Sequence, residues 1–341
     1  MKNASQLTKT IIKFKIPLFA ALILSIFYLI SHFFPSTSQP TTTYKKVSIS
    51  QIINHPALDA TQKGIIDGLK QAGFENGKNL ILEVAVAQGK VDTSIQIAQK
   101  FVGGHSNVIV GISTSSAQTA AIAAKKAGIP VVFSSVTDPL DAKLVNLIDK
   151  PGKNVTGVSN YTDIKPQFEL FRKLLPNLKR LGIIYNPGEA NSVSLMEKSK
   201  AIAKEMEIEI VPSPANKTSE VSTAAKKLIG SVDAIYINND NTALGAFDNI
   251  VKIGNQYSVP IFVSDTDMID QGGLAALGTD QYALGLQTAK MIVRILNGEK
   301  ADDIPVEFAK SLETKINLKA ATKLGVTIPP ELLKTAKLVG K

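Results

Sequence analysis

Residues 181–194 read LGIIYNPGEANSVS. An apolar, β-branched run, LGIIY, stops at Asn-Pro-Gly, and the polar group Glu-Ala-Asn-Ser opens an amphipathic segment behind it. A short apolar run bounded by turn residues is the pattern of a buried strand, and the longer segment that of a helix. The polar residues between them are either a turn with helix caps or the rim of a site. Whether the same unit recurs along the chain decides the fold.

It recurs throughout. From Lys45 onward, the runs KVSISQII, NLILEVAVA, NVIVGIS, PVVFSSV, NVTGVSN, RLGIIYN, IEIVPSP, DAIYINN, PIFVSD and GLAALGT alternate with helical patterns over 58–72, 93–102, 116–127, 167–175, 192–206, 219–229, 242–257 and 282–296. Such alternation predicts an α/β fold of parallel sheets covered by helices on both faces. Ten runs exceed one tidy sheet. KKAGIPVVFSS and NQYSVPIFVSD repeat one punctuation, a proline that starts a strand ending in Ser plus a polar residue, which points to two lobes built alike. The chain leaves the first lobe at 154–160 and crosses again near 278–281, giving lobe 1 as 45–157 plus 281–303 and lobe 2 as 158–280 plus 304–341.

The first 35 residues are set apart. Lys2, Lys9, Lys13 and Lys15 precede an uncharged run at 16–34, IPLFAALILSIFYLISHFF, and a polar linker occupies 36–44. Positive charge before an apolar run predicts export of everything after it. The run is long for a signal-peptide core and short for a spanning helix, so a cleaved signal and a retained membrane anchor both fit.

Composition narrows the chemistry. The chain of 341 residues has no cysteine, which excludes disulfides, thiolate metal sites and a cysteine nucleophile. Its net charge of +9 is scattered, and Arg172, Arg180 and Arg294 are its only arginines, so nucleic acid is not an expected partner. The sequence contains no G-x-S-x-G, P-loop, H-E-x-x-H or G-x-G-x-x-G motif, and past the leader histidine occurs only at His55 and His105. No enzyme activity, cofactor or metal is expected.

In open parallel sheets, ligands bind beyond the carboxyl ends of the strands. Six such ends are polar: Ser50-Gln51, Ser113 to Ser116, Ser134 to Asp138, Asn186 to Ser192, Asn238 to Asn241 and Ser264 to Asp267. Each has a plainer reading. Asp138-Pro139 looks like a helix start, Ser194-x-x-Glu197 like a capping box, and Asp240 or Asn241 like a cap. Together they favour a polar cleft suited to a zwitterion, with hydroxyls and helix-start N–H groups for a carboxylate and acids for an ammonium. His55 fits either the cleft or a helix start. Tyr161, Tyr185, Tyr236 and Tyr282 fit either ligand stacking or the core.

KVSISQIINHPALDATQKGIIDGLKQAGFENGKNL, PVVFSSVTDPLDAKLV, KNVTGVSN, LGIIYNPGEANSVS, DAIYINNDNTAL, GGLAALGTDQYALGLQTAKMIVRILNGEKADDIPVE and the ending INLKAATKLGVTIPPELL strongly resemble the substrate-binding proteins of ABC transporters, tryptophan/tyrosine type. The resemblance runs from about Lys45 to Leu333. It implies a type I periplasmic-binding-protein fold, two Rossmann-like lobes joined by a multi-strand hinge, with an aromatic or other apolar amino acid in the cleft. It also implies a permease, and through it an ATPase, as partners of an exported, monomeric binder. Carried onto matching positions, it places Gln51, Thr114, Ser134, Ser135 and Thr137 on the first-lobe face. Asn186, Glu189, Asn191, Ser192, Asp240, Asn241 and Asp265 form the second. Ser134 and Thr114 would hold the carboxylate, and Asp240 or Asp265 the ammonium. The rival readings are a membrane-anchored sensor with the same lobes and a binder of a sugar or other small solute.

Overall fold

The computed structural model describes residues 44–340; the expected leader and all but the last residue of the linker lie outside them. All ten expected strands form: β1 Lys45–Gln51, β2 Leu80–Val86, β3 Val108–Ile112, β4 Val131–Val136, β5 Val155–Ser159, β6 Arg180–Tyr185, β7 Glu209–Pro214, β8 Ala234–Ile237, β9 Ile261–Val263 and β10 Ala275–Thr279. Three short ones follow, β11 Glu307–Phe308, β12 Leu312–Asn317 and β13 Lys337–Val339. The helices are α1 Pro56–Gln71, α2 Val91–Gly103, α3 Thr114–Ala124, α4 Ile164–Leu174, α5 Ala190–Glu205, α6 Thr218–Leu228, α7 Asn241–Leu244, α8 Phe247–Tyr257, α9 Gln281–Leu296, α10 Leu318–Leu324 and α11 Pro330–Thr335.

The strands form two sheets, in the orders β11-β5-β4-β3-β1-β2 and β13-β12-β10-β9-β8-β6-β7. The orders 2-1-3-4-5 and 7-6-8-9-10 are one doubly wound pattern used twice, which is the type I periplasmic-binding-protein architecture. Pairing is parallel throughout except for β12, which runs antiparallel to β10. The two lobes keep separate cores. In the second, Phe171 stacks on Phe262 with centroids 4.1 Å apart, and Tyr236 packs against both Phe168 and Phe171.

Three segments join the lobes. The chain passes over after β5, again between β10 and α9, and a third time between β11 and β12. The expected third crossing at 303–304 moves to 309–311, because β11 pairs with β5 and completes the first sheet. Thr156 Oγ1 holds that return by donating to the Ile304 carbonyl at 2.7 Å. The crossings are tied to one another: the Asp280 N–H donates to the Ser311 carbonyl, and Thr279 Oγ1 to the Asn160 carbonyl.

Helix α9 returns to lobe 1 and packs face to face on α1. A Cβ on Gly64 would lie 2.2 Å from the Tyr282 carbonyl oxygen, and one on Gly285 2.2 Å from that of Thr61. Only glycine permits backbones this close.

Local details differ from the sequence reading. The pattern expected as one helix over 242–257 breaks into α7 and α8 around Gly245, where a Cβ would meet Ile53 Cδ1 of lobe 1 at 2.5 Å. Asp138-Pro139 opens a turn, not a helix; the Asp138 carboxylate accepts from the Leu140 and Asp141 N–H groups, and Lys143 closes the turn at φ 58°. The Ser194–Glu197 capping box does not form either, since α5 starts a turn earlier and places both residues inside it.

Candidate functional site

The carboxyl ends of β1, β3, β4, β6, β8 and β9 converge where the lobes meet. There His55, Leu58, Thr114, Ser135, Thr137, Asn160 and Gln281 face Asn191, Asn239, Asn241, Leu244 and Asp265 across a cavity of about 10 Å³. That volume is about what one water needs. An amino-acid-sized molecule therefore enters only when the lobes part. Outward from it, sharing Asn241, lies a recess of about 410 Å³ whose wall includes Ile53, Lys90, Asn186, Glu189 and Lys217.

Of the twelve expected residues, Thr114, Ser135, Thr137, Asn191, Asn241 and Asp265 line the cavity, and Asn186 and Glu189 line the recess. Gln51, Ser134, Ser192 and Asp240 line neither. Ser134 Oγ turns to Thr288 Oγ1 at 2.7 Å, behind the sheet. Gln51 Nε2 donates to Asp59 Oδ1 at 2.7 Å and to the Ile53 carbonyl at 2.9 Å, fixing the loop that carries His55.

Glu189 and Asp240 hold the second lobe's rim together. Glu189 accepts from five donors within 3.2 Å: the N–H and Nδ2 of Asn241, the N–H and Oγ1 of Thr242, and Nδ2 of Asn191. Asp240 accepts from Ser192 Oγ at 2.6 Å and the Asn186 N–H at 2.5 Å, and caps α7 through the Ala243 N–H at 2.7 Å. Burial first, and then the charge of Glu189, push the Asp240 carboxyl well above the usual carboxylate range. These two acids are committed to protein donors.

Asp265 differs. Oδ1 accepts from Gln281 Nε2 at 2.7 Å, and Asn239 approaches both carboxylate oxygens at 3.4 Å. Gln281 Oε1 in turn accepts from Ser135 Oγ and Thr61 Oγ1, so a polar chain runs from lobe 1 through the first residue of α9 to the acid of lobe 2. Burial raises the Asp265 pKa to about 6, with the Gln281 bond opposing it. Its charged form thus lacks full compensation, which a cation would supply.

Several buried polar atoms that line the cavity lack a partner at full hydrogen-bond geometry among the described residues: Thr114 Oγ1, Asn160 Oδ1, Asn191 Oδ1 and both ring nitrogens of His55, on which only the Asn241 side chain acts. Thr114 is the first residue of α3, and its neighbour Ser113 holds a left-handed φ of 82° without capping the helix. A non-glycine residue in that conformation stores strain of the kind that accompanies ligand sites. The open helix start and the free hydroxyl form an acceptor-seeking corner suited to a carboxylate.

Leu58, Asn160, Asn239, Leu244 and Gln281 complete the wall. Asn239 belongs to one of the six polar strand ends; Asn160 ends the run NVTGVSN, which the sequence marks only as a lobe boundary, and the two leucines carry no such signal. The tyrosines lie elsewhere. Tyr236 is core, its OH donating to Gln167; Tyr282 bonds Asp67 beneath Lys63, Tyr161 lies under Lys198, and Tyr185 packs on the second-lobe core.

Away from the cavity a polar latch spans the lobes. Lys198 of α5 pairs with Asp138 at 2.7 Å, and Ser194 Oγ donates to Asp141 at 2.9 Å. Both partners of the ion pair are partly exposed, so its contribution is about 0–1 kcal/mol. Lys198→Ala is expected to weaken ligand affinity by up to about fivefold through the closed state alone, an effect that added salt abolishes in titration calorimetry.

Residues 46–339 match the sequence family described as ABC transporter substrate binding protein. The chain belongs to that family, a non-enzymatic one, and is an extracytoplasmic substrate-binding component that serves an ABC permease with a small-molecule ligand. It is 36% identical to a tyrosine-binding protein of Clostridioides difficile (strain R20291) over 273 residues, 80% of this chain and 79% of the relative. It also resembles, at 35% identity and a TM-score of 0.84, an ABC domain from Streptococcus pneumonia in complex with L-Trp, covering 87% of this chain and 100% of that one. A ligand-free, open substrate-binding protein with adhesive properties from Clostridium difficile superposes less well, at 32% identity and a TM-score of 0.65, with 86% and 99% covered. Since identity and coverage are close, the lobe arrangement here is nearer that of the L-Trp complex.

Proposed function

We propose that this protein captures an aromatic or other apolar amino acid as a zwitterion between its lobes and delivers it to the permease. The observation that carries this reading is Asp265, a buried carboxylate at the cavity wall, together with the unpartnered Thr114 hydroxyl at the open start of α3. The acid pairs with the ligand ammonium and the helix start with its carboxylate, while Leu58 and Leu244 offer an apolar wall. Tyrosine and tryptophan, named for two relatives, fit that chemistry. Binding needs groups from both lobes, so the ligand favours the closed arrangement and the permease senses closure. In this reading residues 16–34 tether the monomeric protein to the outer face of the membrane, and 45–159 with 281–308 move as one lobe against the rest.

The test is a thermal-shift screen of the purified protein against the twenty amino acids, sugars and short peptides, confirmed by calorimetry. Stabilisation of about 2.7 kcal/mol at a hundredfold excess over Kd is expected for the true ligand. A response to a sugar or peptide with none to any amino acid would overturn the assignment.

The site also sets a pH dependence. The free Asp265 carboxyl titrates near 6, and an ammonium beside it lowers that value, so binding releases a proton below pH 6. Affinity is therefore expected to be flat above pH 6 and to fall by about tenfold per unit below it. Without ligand the sign reverses: a carboxyl raised by burial stabilises the fold only while protonated, so its contribution is lost as pH rises from 3.8 to about 6. Calorimetric Kd values between pH 4.5 and 8, flattened in Asp265→Asn, check the first expectation.

A further inference from the structure

His55 is half a solution to a recognition problem. It occupies the N-cap of α1, where Ser, Thr, Asp or Asn would bond the helix start, yet its side chain makes no capping bond. It is 5% exposed and lines the cavity; among the described residues neither ring nitrogen has a partner at full hydrogen-bond geometry, though the Asn241 side chain lies close enough to act on the ring. A buried polar group left so carries an uncompensated desolvation penalty unless something meets it. Gln51 orders the loop before it, so the ring is held in place.

Its surroundings are equally specific. Leu58 follows three residues later on the same helical face, and across the cavity Asn241 and Leu244 repeat that spacing on α7. On these two helix starts, each lobe thus sets a polar side chain beside a leucine at the cavity. The Asp265–Gln281–Ser135–Thr61 chain makes no hydrogen bond to His55, so the ring is not committed to it and can meet another part of the ligand.

Resting on the amino-acid reading above, we propose that His55 is a specificity-determining residue that selects an apolar ring carrying a hydrogen-bonding tip, a phenol or an indole N–H, over a bare phenyl group. Burial lowers the His55 pKa to about 4, against a smaller opposing contribution from a weak side-chain hydrogen bond with Asn241 that a ligand tip would replace, so the imidazole is neutral and offers one donor and one acceptor nitrogen. A phenol can use either nitrogen, and an indole N–H donates to the bare one. Phenylalanine fills the leucine walls but leaves the ring unpaired, and sites built to bond a polar tip reject the analogue lacking it.

The experiment is calorimetry of L-tyrosine, L-tryptophan and L-phenylalanine on the full chain and on His55→Leu and His55→Gln. The wild type is expected to bind tyrosine or tryptophan at least about tenfold more tightly than phenylalanine. His55→Leu should bring the three within about threefold while leaving phenylalanine nearly unchanged, and His55→Gln should restore part of the preference. A common loss for all three ligands in His55→Leu would reveal a structural role and overturn the proposal, as would a wild type that treats them alike. Binding of leucine but none of the three would sink it while sparing the amino-acid reading; silence toward every amino acid would sink both.

Discussion

Asp265→Ala is expected to weaken amino-acid binding by roughly 30-fold to several thousand-fold, the equivalent of about 2–5 kcal/mol for removing one partner of a buried charged pair. The acid is 2% exposed, at the junction of both lobes, and its bond to Gln281 is the polar link between lobe 1 and the acid of lobe 2 at the cavity. Two losses combine in the alanine variant: the charge proposed to meet the ammonium, and the acceptor that orients Gln281. Asp265→Asn separates them, since its amide oxygen still accepts from Gln281 while the charge is gone. If charge pairing dominates, both variants bind equally poorly. If Asp265 acts only by holding Gln281, the asparagine variant keeps nearly normal affinity in calorimetry, and the ammonium assignment falls.

The strand-end logic that pointed to Asp265 was legible because β-branched runs, Gly and Pro punctuation and terminal polar residues all obey local rules. β11, β12 and β13 were not, because LETKIN and KLV have no period of their own and become strands only by pairing at a sheet edge. Ser194-x-x-Glu197 misled for a related reason: a capping box is a spacing, and α5 begins at Ala190 because Glu189 is fixed by α7 on another strand's end. Facing is the other limit. Ser134 and Ser135 look interchangeable in sequence, yet a bulge in β4, with Ser135 at φ 54°, sends one to Thr288 and the other to Gln281 and the cavity. Likewise Asp240 is consumed by Ser192 and Asn186, a pairing set by the distance between two strands and not by any motif. The leucines that wall the cavity look like ordinary core residues.

Glu189→Ala carries the largest expected effect on stability, and it distinguishes the rim's architecture from its chemistry. The carboxylate is 8% exposed and serves donors from Asn191, Asn241 and Thr242, thereby pinning the β6–α5 turn to the first turn of α7. Removing it strands several buried donors, each at about 1–3 kcal/mol before water relaxes in, so a loss of roughly 3 kcal/mol is expected. For a protein of this size that lowers Tm by about 5 °C. The charge of Glu189 also raises the neighbouring Asp240 carboxyl, and its removal relieves that repulsion, which trims the loss without cancelling it. Affinity should fall less than in Asp265→Ala, because the residue shapes Asn241 and α7 without pairing with the ammonium. Scanning calorimetry and titration calorimetry of the same preparation decide the matter: unchanged Tm with abolished binding would make Glu189 a direct ligand contact, as the family resemblance implies, and would remove it from the frame of the rim.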